Sequence, residues 1–148
     1  MKLLIPLLFI GLVFGSCNKE KRQAKKDKKE IEKYLKDKGL TAQSTESGLY
    51  YIIEVPGTGT QPTISSTVTV KYKGYLTSGY VFDESVSTGA TFPLTTVIEG
   101  WQQGIPLFKE GGKGKLFIPS ALGYGSSAKP TIPANSVLIF DVELLDVQ

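Results

Sequence analysis

The chain has 148 residues, 41% of them hydrophobic, and 17 Lys and Arg against 14 Asp and Glu give a formal net charge of +3. That length holds one domain with extensions, and that apolar content supports one core. With no histidine and a single cysteine, the chain excludes a catalytic His, a Ser-His-Asp triad, a Cys/His zinc site and an intrachain disulfide.

At the N-terminus, Lys2 is followed by the apolar stretch LLIPLLFIGLVF and by GSC, which ends at the one cysteine, Cys17. A positive start, a short apolar run and small residues read as an export signal over residues 1–16 rather than as a membrane-spanning helix. The cysteine at the junction resembles that of bacterial lipoprotein signals, which implies a lipidated Cys17 as the mature N-terminus; Phe14, three positions earlier, departs from the usual Leu. An ordinary signal with an incidental cysteine is the alternative. Either reading takes the mature chain out of the cytoplasm.

Residues 17–46 form a basic tether. Between Asn18 and Lys38 ten Lys or Arg face five Asp or Glu, a net of +5, whereas residues 39–148 carry six Lys and nine acids, a net of −3. Ile31, Tyr34 and Leu35 recur at helical spacing and predict a short amphipathic helix in the second half, while the first half has too few apolar residues to pack. A solvated spacer is expected; attraction to anionic lipid headgroups beside a lipid anchor is the alternative. Export argues against a nucleic-acid partner.

Strand patterns follow. LYYIIEV (49–55) is β-branched and aromatic, and TVTVKYKGYL (67–76) alternates, with Val68, Val70 and Tyr72 on one face. YVFDES (80–85), TFPL (91–94) and GKLFIPS (114–120) are further extended pieces, and in SVLIFDVELLDV (136–147) Leu138, Phe140, Val142 and Leu144 share a face opposite Asp141 and Glu143. VIEGWQQGIPLF breaks the series as one short helix. The fold class is α+β, an antiparallel sheet wrapped around a single helix behind a charged N-terminal segment.

The segments VTVKYKGYL, YVFDES, VIEGW, LFIPSALGYG and IPANSVLIFDVELL, in this order, resemble FKBP-type peptidyl-prolyl cis-trans isomerases over residues 47–148. The lead-in KYLKDKGLTAQSTESGLYY is similar to that of exported bacterial members. The resemblance implies a four- to six-stranded half-barrel around the helix, with a pocket between helix and sheet. In that pocket Trp101 is expected as the floor and Val97 and Ile98 as the rim, with the Ile98 N–H offered to the substrate carbonyl. Tyr72, Asp83, Tyr124 and Phe140 resemble the family's catalytic set, and Phe82 lies beside Asp83 at the pocket edge. Phe92 resembles another aromatic wall, with Ala90 the candidate if the register slips by two, and Ile132 the hydrophobic tip of the loop over the pocket. Taken alone, Trp101, Tyr72, Phe92 and Phe140 also fit an ordinary β core, and Asp83 a turn cap or a lysine partner.

The chemistry that such a pocket must perform makes no bond. An X-Pro amide has a rotation barrier of about 18–20 kcal/mol while its isomers differ by about 0.5–1 kcal/mol, so a catalyst has only to favour the twisted amide. No metal or cofactor is expected. The expected partners are proline-containing unfolded or folding polypeptides of the cell envelope, rapamycin-like macrolides as inhibitors, and the membrane through the anchor, on the periplasmic or outer-membrane side. Thr131 stands where many members carry an apolar residue and Lys129 adds a charge to the loop over the pocket, which point to an altered substrate preference, and that loop lacks a long insertion, so strong chaperone activity is not expected. A non-catalytic module that holds proline segments is the alternative.

Overall fold

The structure, a computed structural model, describes residues 14–148; residues 1–13 of the expected export signal lie outside the described part. Helix α1 (Phe14–Lys38) opens it and is continuous, not a spacer ending in a short helix. The reason is a repeat that counting apolar residues misses: Gln23, Asp27, Ile31 and Leu35 recur every fourth residue and share one face. Asp27, Ile31 and Leu35 are buried. Most of the remaining helix surface is exposed and carries the pairs Lys28–Glu32 and Lys33–Asp37. The helix stops at Gly39 (φ 65°), where the Leu40 N–H donates to the Leu35 carbonyl at 2.8 Å and the Gly39 N–H to that of Lys36 at 3.1 Å, a glycine-terminated C-cap.

The strands are β1 (Gln43–Ser44), β2 (Tyr50–Val55), β3 (Thr67–Tyr75), β4 (Val81–Glu84), β5 (Ala90–Pro93), β6 (Lys113–Ile118) and β7 (Leu138–Val147). They form one seven-stranded sheet in the order β1-β2-β6-β7-β3-β4, with β5 sharing an edge of β3, and all pairings are antiparallel. The two-residue β1 takes the number beyond the expected four to six. Alternation sorts the sheet into two buried faces. Val68, Val70, Leu116, Ile118, Leu138, Phe140, Val142 and Leu144 pack with Trp101 and Ile105, while Phe117, Ile139 and Val137 pack under Ile31 and Leu35. Each fully buried Leu, Ile or Phe contributes about 1.5–3 kcal/mol, so α1 is a structural layer of the domain and not an appendage.

Helix α2 (Glu99–Gly104) crosses the other face. The Ile98 carbonyl starts it by accepting from Trp101 N–H at 3.0 Å and Gln102 N–H at 3.1 Å. Gly100 and Gly104, one turn apart, face β6: a Cβ on Gly100 would lie 2.5 Å from Ile118 Cγ2, and one on Gly104 would lie 2.7 Å from Leu116 Cδ1. Two bare backbones thus let α2 settle onto the sheet and set the depth of Trp101. Gly100→Ala is expected to destabilise the domain by about 1–3 kcal/mol through overpacking against Ile118. Urea unfolding measures this, and an unchanged midpoint would mean that α2 does not need the close approach.

Candidate functional site

Beside α2 the sheet leaves a cavity of about 440 Å³. Its lining includes every residue expected for the pocket: Tyr72, Phe82, Asp83, Phe92, Val97, Ile98, Trp101, Tyr124, Ile132 and Phe140. Seven elements or loops deliver them, so positions distant in sequence converge only in the fold.

Trp101, 4% exposed, forms the base. Three rings stand edge-on around it: Tyr72 at 5.1 Å between centroids and 87°, Phe140 at 5.3 Å and 81°, and Phe92 at 5.8 Å and 88°. This is the favoured T-shaped arrangement, positive ring edge to negative ring face. Among the described residues the indole N–H has no hydrogen-bond acceptor. Phe82 closes the set by standing edge-on to Phe140 at 5.5 Å. Gly74 makes that contact possible, since a Cβ there would lie 2.7 Å from the Phe82 ring and 2.8 Å from that of Phe140. Its place in YKGYL was visible, but the need for it arises from cross-strand pairing with Asp83 and Phe140. On β5, Phe92 lines the cavity, while Ala90 pairs with Val70 and is not part of the lining.

The polar groups sit at the edge. The Tyr72 hydroxyl donates to Asp83 Oδ2 at 2.8 Å, and the Glu84 N–H donates to Asp83 Oδ1 at 2.9 Å. Burial first, then the hydrogen bond to the Asp83 carboxylate and its charge, push the Tyr72 phenol well above its ordinary value, so it keeps its proton throughout the neutral range. The backbone of Tyr72 is fixed as well, its N–H donating to Ser85 Oγ at 3.0 Å. On the rim, the Gln102 amide donates to the Val97 carbonyl at 2.9 Å and ties the loop before α2 to the helix. Tyr124 stands 38% exposed on the facing loop, and the Lys129 ammonium lies 5.2 Å from its ring centroid, within cation–π range. Lys129 and Ile132 are bridged by backbone hydrogen bonds of 2.8 and 3.2 Å, which tighten the loop tip. Thr96 also lines the cavity and nothing in its sequence context singled it out.

An antiparallel sheet with a short helix on one face and an aromatic pocket between them is the architecture that the resemblance to FKBP-type isomerases implies. Residues 58–145 match the model of the FKBP-type peptidyl-prolyl cis-trans isomerase family, and the chain belongs to that family. It is 47% identical over 136 residues to the FKBP-type peptidyl-prolyl cis-trans isomerase FkpA of Aeromonas hydrophila, covering 88% of this chain and 50% of that protein. The crystal structure of FkpA from Escherichia coli superposes with a TM-score of 0.76 at 41% identity, covering 90% of this chain and 64% of that one. A peptidyl-prolyl cis-trans isomerase from Pseudomonas syringae pv. tomato superposes at 0.75 with 29% identity, over 86% of this chain and 95% of that one. The chain spans about half the length of the curated relatives it matches.

Since Trp101 is the chain's one tryptophan, its emission reports the pocket alone. Saturation with a proline tetrapeptide or with rapamycin is expected to change the intensity or the maximum, because a ligand seated in this cavity would lie against the ring. A spectrum unchanged at saturating ligand would place binding elsewhere.

Proposed function

We propose that this domain catalyses cis-trans isomerisation of X-Pro bonds in unfolded or folding proteins of the cell envelope. The observation that carries the reading is the wall of Tyr72, Phe92 and Phe140 set edge-on around Trp101 in a chain of this family. Planar amides are dipolar and well hydrated; twisting about C–N abolishes the resonance and makes the nitrogen pyramidal. An apolar cavity that strips water from the amide and receives the proline ring against Trp101 favours the twisted form over either planar isomer. The Ile98 N–H at the start of α2 and the Tyr124 hydroxyl supply donors for backbone carbonyls of the bound segment. Asp83 and Tyr72 form one unit: the carboxylate orients the phenol, and its charge lies beside the carbonyl whose polarity changes on twisting. No step needs a proton moved, a metal or a cofactor. Rapamycin-like macrolides are expected to compete for the same cavity.

The chain reaches its substrates as a lipoprotein of the envelope, anchored at Cys17 on the outer-membrane or periplasmic side. Cys17 is exposed at the start of α1, and among the described residues no helix is long and apolar enough to cross a membrane. Helix α1 lies on the sheet face opposite the pocket, and its exposed Arg22, Lys25, Lys29 and Lys36 suit an anionic headgroup surface. Lying on that surface, the helix turns the pocket toward the aqueous compartment.

Asp83→Val removes the charge and keeps the side chain's breadth. Turnover on a proline tetrapeptide is expected to fall by about 1–2 kcal/mol in transition-state stabilisation, with melting temperature and macrolide affinity less affected. Unchanged turnover in a folded variant would remove Asp83 from the reaction, and wild-type protein without rate above background would favour the non-catalytic proline-binding module. Detergent partitioning of labelled cells tests the anchor: wild type is expected in the detergent phase and Cys17→Ser in the aqueous phase, and both in the aqueous phase would refute lipidation.

A further inference from the structure

We infer that Asp27, on α1, is a positioning residue for the pocket on the opposite face of the sheet: it fixes the loop that carries Tyr124. The inference rests on the isomerase reading for its consequence and on the following geometry for its substance. Asp27 is 1% exposed. Its Oδ2 accepts from the Ser120 N–H at 2.8 Å and the Ser120 hydroxyl at 2.6 Å, and its Oδ1 accepts from the Gln23 amide at 2.7 Å. A buried carboxylate persists only when its lone pairs are used, and here all three donors are neutral and directional.

Ser120 is the first residue of the 3-10 turn Ser120–Leu122, directly before the Tyr124 loop. Its carbonyl accepts from the Gly123 N–H at 3.0 Å and the Gly125 N–H at 2.8 Å, the two residues flanking Tyr124. The Gly125 carbonyl accepts in turn from the Asn135 N–H at 2.8 Å, and Asn135 takes a left-handed conformation (φ 57°) to close the far end of the loop. Tyr124, more than a third exposed and contacted at its ring by Lys129, has a backbone that is held at Ser120. Toward the N-terminus of α1 a cavity of about 460 Å³ separates Ser16, Lys19 and Gln23 from Gly125, Ser126 and Asn135, so Asp27 is where the helix grips this loop.

Docking of α1 does not account for a carboxylate at this place. Ile31 and Leu35 already bury apolar surface against Phe117, Val137 and Ile139, and an apolar residue at 27 would dock the helix without the cost of desolvating a charge. What a carboxylate supplies, and a methyl group does not, is a fixed position for two donors of one residue.

The test is a double-mutant cycle of Asp27→Ala and Tyr124→Phe, read by steady-state kinetics on a proline tetrapeptide and by hydrogen exchange of the Gly123 and Gly125 amides. Asp27→Ala is expected to raise KM by about three- to tenfold with little change in kcat, to speed exchange of both amides, and to have no further kinetic effect in the Tyr124→Phe background. Asp27→Asn, which retains an acceptor oxygen, is expected to restore most of the loss. A folded Asp27→Ala protein with wild-type KM and unchanged exchange would overturn the inference, as would an equal loss in the Tyr124→Phe background. Should Asp27→Ala fail to fold, Ser120→Ala, which keeps the backbone donor, replaces it in the cycle with the same non-additivity expected and the same additive result overturning it. Wild-type protein without catalysis would remove the isomerase reading alone, since amide exchange in the variants still decides whether Asp27 holds the loop.

Discussion

How near α2 can come to β6 decides whether there is a pocket at all. Gly100 and Gly104 present bare backbone to Ile118 and Leu116, and any side chain there would lift the helix off the sheet. The close approach sinks Trp101 to a level where the rings of Tyr72, Phe92 and Phe140 stand at nearly right angles to it. Gly74 plays the same part on β3, leaving room for Phe82 and Phe140 to touch. The aromatic cavity is thus a consequence of where side chains are missing as much as of where they are large.

The sheet has two burdens. Its concave face carries the pocket and α2, and its other face carries α1, so strands β6 and β7 are apolar on both sides at Phe117, Ile118, Leu138 and Ile139. Charge follows the same division: α1 holds most of the basic residues, while the rest of the chain is net acidic. The two layers communicate at the end of β6, where the chain leaves the sheet at Pro119, meets Asp27 through Ser120 and turns into the loop over the pocket.

Much of this was legible in the chain itself. The alternation of β3 and β7 identified the residues facing the core, because period-two burial depends only on the pleat. The pocket residues were legible through their segments rather than singly: Trp101 by itself reads as core, and its T-shaped neighbours come from β3, β5 and β7. What escaped was long-range and polar. Ile139 falls on the Asp141 and Glu143 side of its strand and Phe117 has no local apolar partner, since only a helix distant in sequence covers them. The first half of α1 looked like a spacer, because Gln23 and Asp27 gain their meaning from Ser120, 93 residues further along the chain in the case of Asp27. A buried charge whose partner is remote in sequence leaves no local pattern.

Whether the Trp101 cavity speeds rotation about a prolyl bond is read directly by NMR magnetisation exchange on a proline tetrapeptide, without any coupled enzyme. Sub-stoichiometric protein is expected to produce exchange cross-peaks between cis and trans resonances far above the uncatalysed rate, and folded Trp101→Leu to reduce them by about tenfold or more. Exchange at the uncatalysed rate with wild-type protein, or undiminished exchange with Trp101→Leu, would contradict the account.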